Sequence, residues 1–218
     1  MYYDLICSLP HLPDFEKAKW LPISPLRLRQ RLNRLSPSHA EQLDHARSLI
    51  GWREQRLLGD QDRIATLPGL IDEKLDTPLH DYIEFRMTQK SLLAALRWKH
   101  DGQDLSDEPH RWGIGPRAHH IRKHWRLSCF GLEHVFPWLP MVSERLSSGD
   151  AIGLERMLVR LNWQWLTRCA EQSMFGFQAV MAYVFKWDML QAWLACDPSR
   201  AKARFTELID KVTHVANA

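Results

Sequence analysis

Glycine is scarce, 10 in 218 residues, which is too little for glycine-rich phosphate loops or for the many tight turns of an all-β chain. Cysteine is scarce as well. Its four copies, Cys7, Cys129, Cys169 and Cys196, lie far apart with no C-x-x-C, a spacing that excludes a zinc finger or a dense disulfide framework and fits reduced thiols in a cytoplasmic protein. No run approaches the ~20 apolar residues that span a bilayer. The opening MYYDLICSLPHLPD lacks the basic start and apolar core of a signal peptide. Neither sign of charge dominates: 29 Lys and Arg against 26 Asp and Glu give +3, short of the basic excess of a dedicated nucleic-acid binder. G-x-S-x-G, the P-loop, G-x-G-x-x-G and H-E-x-x-H are all missing. The expectation is a protein without catalytic residues and without a cofactor.

What the chain does have is helix punctuation. Ser24-Pro25, Ser36-Pro37, Thr77-Pro78 and Asp197-Pro198 repeat one device, an N-cap side chain followed by a proline whose missing N–H costs nothing in the first turn. The fold class expected is all-α. A helix over 37–58 carries Leu43, Ile50 and Leu57 at heptad spacing, with Ala46 between the first two. A break follows over 59–76, and a helix starts at Pro78 with Tyr82, Phe85, Leu92, Leu93 and Leu96 as its apolar stripe, widened by Ile83, Met87 and Ala94. Glu84 falls at the edge of that stripe, and Arg86 and Lys90 mark a more polar face.

The Gly-, Pro- and Asp-containing stretch 101–115 reads as a linker between an N-terminal helical lobe, 1–100, and a C-terminal one, 116–218. In the second lobe a basic helix is expected over 116–128, a proline-interrupted stretch at Pro137 and Pro140, and a helix over 151–171 capped by Asp150. A helix over 174–195, apolar on most faces, should be the most buried of all, and a closing one runs over 198–213. Phe85-Arg86 and Phe185-Lys186 each precede a Leu- and Ala-rich half-helix, a short echo that helical composition alone can produce.

Two basic segments could carry function. RLRQRLNRL, 27–35, sets Leu28, Leu32 and Leu35 inward and spreads four Arg outward, as phosphate contact requires; a surface helix balanced by carboxylates elsewhere is the plainer reading. In RAHHIRKHWRLSCFGLEH, 117–134, His120 and His124 are four apart and share a helix face, half of a zinc shell. Arg117, Arg122, Lys123 and Arg126 surround them, and cationic neighbours disfavour a divalent ion, so a solvated basic face outweighs a metal site. Glu84 as a general acid or base lacks any partner set nearby in sequence, and a structural ion-pair role outweighs catalysis. Ten Trp in this length suit partner contact as well as a core, since indole combines large apolar area with one donor.

YIEFRMTQKSLLAALRWK, 82–99, resembles a helix of the C-type central-stalk subunit of V/A-type ATPases. AVMAYVFKWDMLQAWLACDPSRAKARFTELID, 179–210, is similar to that family's C-terminal helix pair, with Ala201 to Phe205 in place of its G-x-x-x-F turn and alanine where the family has glycine. The opening MYYDLICSLPHL looks like the start of a short bacterial family associated with V-type ATPases. The resemblance implies a helical socket, cytoplasmic and peripheral on the inner face of the membrane, that joins the rotor shaft to the membrane ring and does no chemistry itself. It also singles out Tyr82, Glu84, Arg86, Lys186 and Asp188 as partner-contacting candidates. The other function class that the residues allow is a helical nucleic-acid binder working through 25–35 and 116–128.

Overall fold

Ser24 and Ser36 do what their place ahead of proline requires. Ser24 Oγ accepts the Arg27 N–H at 3.4 Å at the head of α2, Pro25–Leu32, and Ser36 Oγ accepts the His39 N–H at 3.3 Å at the head of α3, Pro37–Ile50. Each such cap is worth about 1 kcal/mol. The computed structural model describes residues 1–50, 75–103 and 117–195, and every regular element among them is helical. Expectations for residues 51–58, most of the 59–76 break, most of the 101–115 linker and the 198–213 helix lie outside the described residues.

The remaining helices are α1, Tyr3–Ser8; α4, Thr77–His100; α5, Ala118–Lys123; α6, Leu139–Ser147; α7, Ala151–Gln172; and α8, Phe177–Ala195. Asp150 caps α7 as expected, accepting the Gly153 N–H at 2.9 Å. Thr77 does not cap α4: it is already the first helical residue, and Asp76 holds the cap position with its carboxylate turned elsewhere.

The expected basic helix over 116–128 is corrected to the six residues of α5. It stops because the chain reverses through a 3₁₀ turn, Ser128–Gly131, in which Cys129 and Phe130 both take positive φ. That conformation strains L-residues, and it is held by burial of both side chains. Lys99, near the end of α4, adds to this by donating to the Trp125 and Leu127 carbonyls at 3.0 and 2.6 Å.

Two cores result. The main one gathers Leu5, Phe15, Leu43, Ile50, Tyr82, Ile83, Leu166 and most of the buried face of α8. α8 is the apolar inner helix that its sequence announces, with Val180, Met181, Val184, Phe185 and Leu190 all buried. A second core joins Leu92, Ala95 and Leu96 of α4 to Ile121, Phe130, Leu139, Val142 and Leu154. Residues on both sides of 101–115 therefore enter each core, and α4 and α7 contribute to both. At ~1.5 Å per residue, the 24 residues of α4 make it a spar roughly 36 Å long.

Candidate functional site

Between the start of α4, the end of α7 and the start of α8 lies an open cleft of about 740 Å³, lined in part by His39, Asp81, Trp165, Arg168, Cys169 and Phe177. At its edge His39 and Asp76 of the lining join Tyr2 in a line of three side chains. His39 Nε2 meets Asp76 Oδ2 at 2.8 Å, and His39 Nδ1 meets the Tyr2 hydroxyl. The imidazole lies flat on Phe177, ring centroids 4.1 Å apart and planes 5° from parallel.

With Nε2 donating to the carboxylate, Nδ1 is left to accept from the phenol. Tyr2 is fixed from two more sides: its oxygen accepts the Ser36 N–H at 3.3 Å, and its own N–H donates to the Phe175 carbonyl at 2.7 Å. The line thus ties the N-terminal segment, the head of α3, the head of α4 and the α7–α8 turn to one another. Burial, then the nearby Asp81 charge, push the Cys169 thiol up from its ordinary value, away from the thiolate that nucleophilic chemistry needs. The cleft combines aromatic side chains at Trp165 and Phe177 with mixed charge at Asp81 and Arg168.

The second polar feature is internal. Arg86 Nη1 donates to Gln89 Oε1 at 2.8 Å, and Asn162 Nδ2 of α7 donates to the same oxygen at 2.8 Å and to the Leu158 carbonyl at 2.7 Å. All three side chains are buried. They sit on α4 and α7 between residues that feed the main core, Ile83 and Trp163, and those that feed the second, Leu92 and Leu154. Burial pushes the Arg86 guanidinium below its ordinary value, opposed by Tyr82.

The residues singled out from sequence scatter across these surroundings. Arg86, expected on the polar face of its helix, is instead 4% exposed inside the protein. Tyr82 is wholly buried, its ring 5.1 Å from Trp165 and 4.9 Å from Phe185. Asp188 receives Arg47 of α3 in a two-pronged pair at 2.8 and 2.6 Å. Lys186 donates to Thr167 Oγ1 at 2.6 Å and stands 5.2 Å from the Trp163 ring centre, and burial lowers its pKa to about 8. Of the five, only Glu84 is exposed. The structure brings Tyr82, Arg86 and Asp188 near one another, since both charges act on the Tyr82 phenol.

His120 and His124 do share a face, with ring centroids 4.3 Å apart, but His120 Nε2 is engaged by the Phe130 carbonyl at 3.2 Å. Among the described residues no three His, Cys, Asp or Glu come together as a metal shell would need. The Tyr2–His39–Asp76 line escapes sequence reading because its members are 37 residues apart on each side. The only local signal is Asp76 standing one residue ahead of Thr77-Pro78, a helix-start position.

The Tyr82 hydroxyl has no hydrogen-bond partner among the described residues, and burial pushes the phenol well above its ordinary value. Tyr82→Phe is expected to raise stability by about 1 kcal/mol, because it removes a buried group that folding desolvates without compensation. Urea unfolding measures this. A loss of similar size would instead show the hydroxyl bonded to interior water.

Helices on two shared cores, a polar seam between them and an open cleft lined in part by His39 define an all-α protein organised around helix packing. The chain belongs to the family described as Protein of unknown function (DUF2764), which matches residues 72–216, more than half of its length. No curated protein and no solved structure matches it.

Proposed function

We propose that this protein is a non-catalytic helical adaptor of a V/A-type ATPase, coupling the rotor shaft to the membrane ring as the central-stalk protein it resembles does. One observation carries the reading. The two segments that bear the resemblance, 82–99 and the described part of 179–210, pack together as α4 and α8, with Tyr82 against Phe185. A load-bearing socket needs such a joint, since close-packed cores resist deformation.

No described helix is long and apolar enough to cross a membrane, so membrane association in this reading runs through surface contact and partners. Glu84 is the candidate that α4 presents outward. The nucleic-acid reading draws support from the exposed Arg27 and Arg29 of α2, but its second basic helix is only the six residues of α5.

The test is a mild-detergent pull-down of the tagged protein from its own cells, with mass spectrometry of the co-purifying proteins. The rotor shaft and ring proteins of the ATPase should co-purify, and Glu84→Lys should reduce their recovery severalfold while leaving the fold intact. An intact ATPase in the same lysate that stays wholly unbound would sink the proposal.

A further inference from the structure

Residues 17–40 hold six of the 29 Lys and Arg and none of the 26 Asp and Glu, so the rest of the chain carries a net charge of −3. The fold turns most of that charge outward. Lys17, Lys19, Arg27, Arg29 and Arg34 are exposed, while Arg31 is half-buried and close enough to act on the Tyr183 phenol. Two large apolar side chains of the same stretch also stand in solvent: Trp20, 71% exposed, and Leu26, 66% exposed. They are not stray core residues. Ile23 and Leu28 are buried with Trp187, and Leu21 and Leu32 pack on the same cluster, so the loop and α2 have already spent their inward positions. The platform is also fixed, because the buried Trp187 Nε1 donates to the Ile23 carbonyl at 3.0 Å.

We propose that this face docks the protein on a negatively charged lipid surface. Lys17, Arg27 and Arg29 meet the anionic headgroups, while Trp20 and Leu26 enter the boundary between headgroups and acyl chains. Charge complementarity selects an anionic partner. The two apolar side chains select lipid over nucleic acid: an indole and an aliphatic chain both partition into that boundary, whereas nucleic acid is read through donors and stacked rings and leaves Leu26 without a role. Pure lipid vesicles contain no ATPase, so this inference stands or falls separately from the adaptor reading.

The experiment is co-sedimentation of the purified full chain with vesicles of phosphatidylcholine alone or of phosphatidylcholine mixed with phosphatidylglycerol. Binding to the mixture is expected to exceed binding to phosphatidylcholine by about tenfold or more and to weaken as salt rises. Trp20→Ser with Leu26→Ser keeps the charge and should lower partitioning about tenfold. Arg27→Glu with Arg29→Glu should lower it at least about tenfold. Lys123→Glu with Arg126→Glu, the same change on another exposed basic stretch, should leave it nearly unchanged. All these positions are exposed, and circular dichroism checks that each variant is folded. Equal or no binding to the two vesicle types overturns the proposal, as does an equal loss in the Lys123/Arg126 variant. Binding to single-stranded RNA that matches the vesicle affinity and ignores the Trp20/Leu26 change would assign the face to nucleic acid instead.

Discussion

Arg86→Ala is expected to cost about 3–5 kcal/mol of unfolding free energy, while Arg86→Met costs less than about 1.5 kcal/mol. Both remove the guanidinium that donates to Gln89. Only alanine also empties the space that the long side chain fills where the two cores meet. A buried cation is expensive to desolvate, and its replacement by an apolar side chain of similar volume is often close to neutral. Gln89 Oε1 keeps a donor in either variant, because Asn162 Nδ2 reaches it at 2.8 Å. Urea unfolding of the three proteins at one pH, with an unchanged slope, measures the difference. Should methionine prove as damaging as alanine, the positive charge itself is what holds the seam, and volume is not.

The seam also shows where sequence reading stops. Helix starts at Pro25, Pro37 and Ala151 are legible because capping is local chemistry, complete within three or four residues. The buried face of α3 is legible too, since Leu43, Ala46 and Ile50 keep helical spacing and all go inward. Arg86 is not, because α4 is packed by α3, α5, α6, α7 and α8 together. A helix enclosed on that many sides has no single polar face, and its one inward arginine finds its polar company in Asn162, which reaches Gln89 across 73 residues. The short α5 is hidden for the same reason: the reversal at Cys129 and Phe130 is held by burial and by Lys99 from another helix. The cleft is the least legible part, since Tyr2, His39 and Asp76 meet only after three helices have packed.

Phe15→Ala is expected to cost about 3–5 kcal/mol of stability, lowering Tm by roughly 6–20 °C for a chain of this size. Phe15 is wholly buried, 5.0 Å edge-on to Trp193 and 5.8 Å from Trp163. Arg160 lies 4.5 Å over the ring and is itself held by Asp14 and by Glu16 at 2.7 Å. Burial pushes the Asp14 carboxyl up, and the hydrogen bond from Arg160 leads the interactions that outweigh it and hold the group below its ordinary value. Phe15 precedes the family match at 72–216, yet it shares one core with Tyr82, Leu166 and Phe185 from within that match. Leu5, Leu35, Leu43, Ala46 and Ile50 enter the same core from the same side of the boundary. If residues 1–50 form one cooperative unit with α4, α7 and α8, Trp fluorescence and far-UV circular dichroism should lose their signals together, and at lower temperature, in the variant. A change below about 1 kcal/mol, or an early transition seen by one probe alone, would mean that the N-terminal segment opens by itself. A segment that opens alone would not be rigidly joined to α8, so this substitution also tests whether the proposed lipid-docking face and the α4–α8 joint can act as one rigid piece.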